Sequence, residues 1–352
     1  LGDAGSVAPR RVVIHLANVS GQALPLQRCR LWLPRRAAEF RVPEPADVVT
    51  YVAARRDALP AAHHHPELRG RQTGLEIAAE ILSDGFGSLE PGARLAIAMP
   101  IARRVLHTDR ASIVDGDLAP HLWMFHSSPR GRRISKLGFA YRDFSNRELL
   151  TYDAAFDLAR PIHDDPDTDR DHAEAVRSLW EQRTGECISP ERWLLHRLVH
   201  LWQRRRLGES RFWHGRRVAC AMQDYLGEVL FADLTPAAGP WAALDVDGVL
   251  ETHWLTNSAP GMAGAMALRG LVAHGHRTIL ATGRNVADVA DRCRAWPIAG
   301  GVAEYGTALV LAPDRTVIDL RSDTERAAVD AARAVLRARD GVEIDEIGRA
   351  HV

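Results

Sequence analysis

Lysine is almost missing from this chain. Of its 45 Lys+Arg residues only Lys136 is a lysine, a skew that reads as a bias of the coding genome before any functional signal. Net charge of either sign is missing too: Lys+Arg and Asp+Glu are both 45, for a formal +0. There is thus no basic field for nucleic acid and no acidic tail. The four cysteines, Cys29, Cys187, Cys220 and Cys293, include no Cys-x-x-Cys pair, which excludes a zinc ribbon and a disulfide framework and makes a reducing cytoplasm the default location. No apolar run approaches the length of a membrane span, so no membrane partner is expected. Internal repeats are absent as well.

What is present is an ordinary globular composition, 46% hydrophobic over 352 residues, enough for two domains. The stretch Trp241-Ala-Ala-Leu-Asp-Val-Asp-Gly-Val-Leu250 carries the most chemistry. A short apolar run ends in two aspartates one residue apart, as where a buried parallel strand opens into a loop. Open α/β sheets bind ligands at that edge. Two acids so close ask for a cation, or for separate acid and base roles.

The following segments extend the pattern. Residues 257–275 read as a helix entered through Ser258 or Asn257, with Pro260 in its first turn and Gly275 as the stop. Arg277-Thr-Ile-Leu-Ala281 reads as a second strand ending in Thr282-Gly283-Arg284, before a helix from Val286 to Arg294. A hydroxyl, a glycine and a guanidinium before a helix N-terminus make a phosphate cradle. Residues 300–310 read as a third strand-like step, completing β-α-β-α-β.

Together these residues resemble the haloacid dehalogenase superfamily of phosphohydrolases over the last third of the chain. Asp245-Val-Asp-Gly-Val-Leu250 matches its first motif and Leu280-Ala-Thr-Gly-Arg284 its second. Val302-Ala-Glu-Tyr-Gly-Thr-Ala308 is similar to a segment of the subgroup whose cap is inserted after the second motif. The resemblance implies an α/β, Rossmann-like core with a parallel sheet and flanking helices, preceded by a separate mixed α+β domain. It implies Asp245 as nucleophile, forming an aspartyl-phosphate, and Asp247 as acid and base. Mg²⁺ would be held by Asp245 and Asp247, and phosphate by Thr282, Gly283 and Arg284. Arg284 either reaches substrate or only braces the loop.

Two parts of the family pattern are missing. No lysine follows the second motif, and no Gly-Asp-x-x-x-Asp segment appears after Arg284. Arg321 to Arg339 reads as an amphipathic helix and Val342-Glu-Ile-Asp345 as a strand, an order that suits the opening of a cap. Ile347-Gly-Arg-Ala-His-Val352 matches one frame of a common sequencing-library adapter, so residues 347–352 are expected to be read-through on a truncated gene. Residues 236–346 are then a partial core, expected to supply half an active site and no turnover by themselves.

Residues 1–235 form the other expected domain, joined through Thr235-Pro-Ala-Ala-Gly-Pro240. Arg11 to Leu16 reads as a strand, and residues 72–82 and 173–183 as helices. A further helix is capped by Ser189-Pro190-Glu191 and reaches Arg206. His196 and His200, four apart on it, read as a packed or solvated pair rather than metal ligands. His63-His-His65 reads as a loop, and the acidic run 163–171 as a solvated turn. The order of Ser112-Ile-Val-Asp-Gly-Asp-Leu118, Ile134 to Ala140 and Tyr152 to Ala159 resembles the catalytic lobe of aminoglycoside- and choline-kinase-like phosphotransferases. There Asp117 would be the base and Asp157 would lie in the later acidic segment. Asp115 replaces the usual histidine, His121 an asparagine and Gly138 the second metal-binding aspartate.

The expectation is a Mg²⁺-dependent phosphatase acting on a small phosphorylated metabolite, a sugar phosphate among the candidates. The alternatives are a non-catalytic regulatory or binding protein that keeps the fold, and a bifunctional protein with a kinase-like N-terminal domain.

Overall fold

The computed structural model describes residues 39–59, 74–128, 131–136, 152–252, 259–312, 314–339, 343–344 and 350–351. The chain is mixed α/β and divides into two compact units, Leu1–His200 and Leu201–Val352. The division falls inside a helix, upstream of the 235–240 segment expected to link the domains.

The first unit begins with β1 (Glu39–Phe40) and α1 (Pro45–Asp57). Glu44 and Asp47 form a reciprocal capping box at the start of α1, and Pro45 stands at N1, where its missing N–H costs nothing. There follow α2 (Gly74–Asp84), α3 (Pro91–Val105), a 3-10 turn at Pro120–Leu122, β2 (Trp123–Ser128) and β3 (Gly131–Lys136). Then come α4 (Ala154–Leu158), α5 (Pro166–Thr184) and α6 (Pro190–Arg206). Strands β1, β2 and β3 make an antiparallel sheet in that order. α1 packs on α4 and α5, and Val48, Val52, Leu118, Trp123, Phe125, Val176 and Trp180 share one apolar cluster. The expected strand 11–16, the histidines 63–65 and residues 137–140 lie outside the described residues.

The acidic run is not the solvated turn expected from its composition. Asp165 caps α5, its carboxylate accepting from Thr168 N at 2.8 Å, and Asp167 and Asp169 occupy the first turn. Carboxylates gathered there face the positive end of the helix dipole. Asp169 is buried and accepts from Ile162 N at 2.7 Å and from Arg197 Nη2 at 2.8 Å.

On the same helix His172 is buried with its Nδ1 3.3 Å from His163 Nε2. Burial, and then the charge of His163, push its pKa down to about 4. The folded value lies below the unfolded one, so the stability it contributes is complete above pH 6.5 and is lost as pH falls towards 4. Between pH 7 and pH 5 this group is expected to cost about 2 kcal/mol. Urea unfolding at the two pH values should show that difference, reduced in His172→Phe; an equal pH dependence in the variant would contradict the assignment.

The second unit contains α7 (Arg211–Leu230), β4 (Trp241–Leu244), β5 (Glu251–Thr252), β6 (Ala259–Pro260), α8 (Met262–Ala273) and β7 (Arg277–Ala281). It continues through α9 (Val286–Ala295), β8 (Gly300–Ala303), β9 (Ala308–Leu311), β10 (Thr316–Asp319), α10 (Asp323–Arg337), β11 (Glu343–Ile344) and β12 (Ala350–His351). The main sheet has the order β10-β9-β8-β7-β4. Helices α8 and α9 are the crossovers that let β4, β7 and β8 run parallel.

The sheet is mixed, not parallel throughout. Residues 300–310 were expected as one strand-like step, but Glu304–Gly306 make a 3-10 turn with φ of 51°, 56° and 97°. That turn sends the chain straight back, so β9 pairs with β8 antiparallel and β10 with β9 likewise. A two-strand connection this short has no other option.

Helix α8 starts later than its sequence suggested. Ala259–Pro260 pair with Glu251–Thr252, Gly261 is the N-cap, and Ser258 and Asn257 lie outside the described residues. Gly264 lets α8 approach the loop after β4: a Cβ there would lie 2.3 Å from Leu250 O. α7 packs on α8 and α9, and Leu226 joins Val246, Leu268, Leu280, Val289, Ile298 and Val310 in one core. Helix α7 therefore belongs with this sheet although it precedes the 235–240 segment. α10 has a Ser322–Glu325 capping box and buries none of its residues.

Candidate functional site

The carboxyl ends of β4 and β7 lie side by side, with Leu244 opposite Leu280. The next residues of each strand are Asp245 and Ala281-Thr282, so the acidic loop and the Thr-Gly-Arg loop share one edge of the sheet. Asp245 is exposed and accepts a bond from Val246 N at 2.7 Å. The chain then turns tightly: Leu250 N and Glu251 N both donate to Val246 O, at 3.1 and 2.9 Å, and Gly248 N donates to Glu251 O at 2.8 Å. Gly248 has φ +80°, a conformation that disfavours a side chain. This turn brings Asp247 back towards β7.

Arg284 joins the two loops. Its Nε lies 3.1 Å from both carboxylate oxygens of Asp247 and its Nη2 2.6 Å from one of them. Its third nitrogen, Nη1, lies 2.8 Å from Glu251 Oε2. Glu251 is 1% exposed and also accepts from Arg292 Nε and Nη2 at 2.9 and 2.6 Å. Burial works against the Arg284 charge, but the bond to Asp247 and the charge of Glu251 outweigh it and raise its pKa. Of the two roles open to Arg284, bracing is the one these contacts describe. Glu251 and Arg292 were not singled out in the sequence; the only signal was an acid placed directly after the apolar pair Val249-Leu250.

Thr282 is buried, and its N–H donates to Val302 O at 3.0 Å. Its hydroxyl oxygen accepts from Arg284 N at 3.2 Å, which leaves the O–H free to donate elsewhere. Asn285 caps α9, accepting from Asp288 N at 2.8 Å, so the positive end of that helix follows the Thr-Gly-Arg turn directly. Over Gly283 lies the ring of Tyr305, 2.6 Å from where a Cβ would be, although Tyr305 is 93% exposed. Tyr305 is thus a further residue of this edge, placed by the reversal after β8.

Mg²⁺ needs one or two carboxylates, keeps several waters and takes the rest of its shell from substrate oxygens. The exposed Asp245 carboxylate and the backbone carbonyl of Asp247 meet that minimum in donor type, whereas the Asp247 carboxylate is held by Arg284. Glu251 does not add to it, because two guanidiniums hold it. Among the described residues no group of three or more His, Cys, Asp or Glu is arranged as a metal site.

The first unit has its own polar cluster, around the loop Asp115-Gly116-Asp117. Asp157, 1% exposed, accepts from Asp115 N and Gly116 N at 2.8 Å each. Asp115, fully buried, accepts from Tyr51 OH at 2.6 Å and from Lys136 Nζ at 3.2 Å. Asp117 pairs with Arg160 Nη2 at 3.0 Å. Burial pushes the Asp157 carboxyl up to about 6, with the charge of Asp115 adding to it. Burial likewise raises Asp115 and lowers Lys136, each opposed by the charge of the other.

His196 and His200 are packed rather than solvated. His196 Nε2 lies 2.9 Å from Asp153 Oδ2 and His200 Nε2 2.6 Å from Phe156 O. His121 lies in the 3-10 turn and is exposed, and Gly138 is outside the described residues. Among the described residues no helix is long and apolar enough to cross a membrane. Compared with known proteins, the chain matches no family model, no curated protein and no solved structure.

Proposed function

We propose that the second unit is a Mg²⁺-dependent phosphatase core of the haloacid dehalogenase type, hydrolysing a small phosphate monoester such as a sugar phosphate. The succession β4-α8-β7-α9-β8 with its parallel pairing supports a Rossmann-like core. The observation that carries the reading is the Arg284–Asp247 pair, which ties the aspartate loop to the Thr-Gly-Arg loop at one strand edge. In this reading two motifs far apart in sequence supply one site.

In this reading the exposed Asp245 carboxylate attacks phosphorus, forming an aspartyl-phosphate as the substrate alkoxide leaves. Asp247 gives a proton to that alkoxide and then takes one from the water that hydrolyses the intermediate. Before Asp247 handles a proton, Arg284 has to release one of its oxygens. The Thr282 hydroxyl donates to a phosphate oxygen, and the α9 N-terminus favours the dianion. Gly283 would add its backbone N–H to the phosphate cradle, its missing side chain making room for the Tyr305 ring. Asp245 and Asp247 would hold Mg²⁺, which when bound would neutralise charge between the nucleophile and the phosphate.

The test is phosphate release from a panel of monoesters by the protein expressed from its complete gene. Release that requires Mg²⁺, stops with EDTA and disappears in Asp245→Asn is expected. No release by the intact, folded protein would leave the non-catalytic alternative standing. The bifunctional alternative draws on one observation, the hydrogen bonds that Asp157 accepts from Asp115 N and Gly116 N, which tie it to the loop that carries Asp117. Against it stand Arg160, which pairs with the carboxylate that would be the base, and His121 and Gly138 at the positions where the family resemblance would put metal ligands.

A further inference from the structure

Tyr305 is 93% exposed, so its ring contributes almost no burial to the fold. It also carries strain. Its φ of 56° and ψ of 31° lie in the left-handed region, which costs a bulky residue and suits Gly or Asn. Hydrogen bonds hold the turn in place all the same. Glu304 N donates to Arg284 O at 2.8 Å, Thr307 Oγ1 to Glu304 O at 3.0 Å, and Leu320 N to Thr307 O at 2.8 Å. The first of these ties the reversal to the Thr-Gly-Arg loop itself, and the position of the ring follows from that tie. Its Cε1 and Cζ lie 2.6 Å, and its hydroxyl 3.0 Å, from where a Cβ on Gly283 would be. The ring fills the space that a side chain at 283 would take.

An exposed aromatic face beside a phosphate cradle offers apolar surface to whatever the phosphate carries. A flat partner gains most from it, because stacked and C–H contacts grow with matched area. A flexible chain has also to give up rotamer freedom to lie on the ring. We propose that Tyr305 is a substrate-contacting residue that selects phosphate monoesters of ring-bearing alcohols over those of open chains. The proposal rests on the phosphatase reading of this edge and adds the class of its leaving group. The chemistry recognised is a flat ring face close to the phosphate, which a sugar or an aryl ester can supply.

The test measures binding by calorimetry, with Mg²⁺ present, to the protein expressed from its complete gene. The probes are phenyl-, cyclohexyl- and n-hexylphosphonate, which have equal carbon counts and no ester bond to cleave. A ring-bearing probe should bind about three- to tenfold more tightly than the open chain. A gain for phenyl alone assigns aryl esters, and a gain for both rings assigns the C–H face that a sugar presents. Tyr305→Phe should keep the preference and Tyr305→Asn should remove it, the comparison across proteins and probes isolating the part played by the ring. Asn suits the left-handed backbone, so the unfolding midpoint of Tyr305→Asn should not fall. A lower midpoint would mark the ring as part of the fold and overturn the proposal. So would a ring preference that survives in Tyr305→Asn, or none in the unaltered protein; both would leave phosphate binding and the phosphatase reading intact. Binding of none of the probes would instead sink that reading, and this proposal with it.

Discussion

Replacing Glu251 with alanine is expected to destabilise the second unit by about 3–5 kcal/mol, the usual cost of removing one partner from a buried ion pair. Glu251 is 1% exposed, and the two guanidiniums it holds belong to Arg284 at 6% and Arg292 at 1%. Without it, two buried positive charges face each other across the space it leaves, with Asp247 bonded only to the first. On the Arg292 side only the bond to Asp288 O and the Trp296 ring then remain, and neither carries a negative charge. Urea unfolding should show a lower midpoint at unchanged slope for the transition of this unit. A loss below about 1 kcal/mol would show that water reaches these groups and that the triad is not a buried unit. The double variant Glu251→Leu with Arg292→Met should lose less than Glu251→Ala alone, because it removes a charge together with its partner. Arg284 also loses one of its two anchors, so the tie between the acidic loop and the Thr-Gly-Arg loop should slacken.

In the first unit, Asp153→Ala is expected to cost a similar amount, about 3–5 kcal/mol, again by stranding a buried charge. Asp153 is fully buried and accepts from Arg192 Nε at 2.6 Å, from a second nitrogen of Arg192 and from His196 Nε2 at 2.9 Å. It also caps α4 through Ala155 N at 2.9 Å, worth about another 1 kcal/mol. Arg192 would keep only Glu186 and Thr108. Burial alone would raise the Asp153 carboxyl, but the bonds from Arg192 and His196 outweigh it and hold it well below the ordinary carboxylate range. The folded value is thus depressed, so its contribution is present above the unfolded value near 4 and is lost only as pH falls below it. Thermal unfolding from pH 7 down to pH 3 checks this. Asp153→Ala should melt lower at every pH above 4, with the gap closing in stronger acid; a gap that widens in acid would refute the assignment.

These two networks differ in how far the sequence announces them. Ser189-Pro190-Glu191 names the start of α6, and the four-residue spacing of His196 and His200 places both on one face of it. Nothing local says that this face meets Asp153, 43 positions upstream of His196. Asp245, Asp247 and Thr282-Gly283-Arg284 stand out because strand, turn and helix signals frame them. Glu251 does not, because a single acid after two apolar residues resembles any surface loop until Arg284 and Arg292 arrive from 33 and 41 positions away. The acidic run 163–171 misled for the opposite reason. Its composition suits a solvated turn, yet the Asp165-Pro166 pair is also a helix start, and the packing of α5 on α1 decides between them.

By itself the sequence determined which residue types end the strands of the second unit, where α9 begins and that Lys136 has no second copy. These are local properties, set by hydrophobic period, capping and turn chemistry within a few residues. The tertiary structure alone decided that Arg284 braces Asp247 and Glu251, that β8 is followed by a reversal carrying Tyr305 over Gly283, and that α7 joins the C-terminal sheet. It also decided that the lone lysine lies buried against Asp115. Each of these joins charges or surfaces distant along the chain, and their energies depend on burial, which no local pattern encodes.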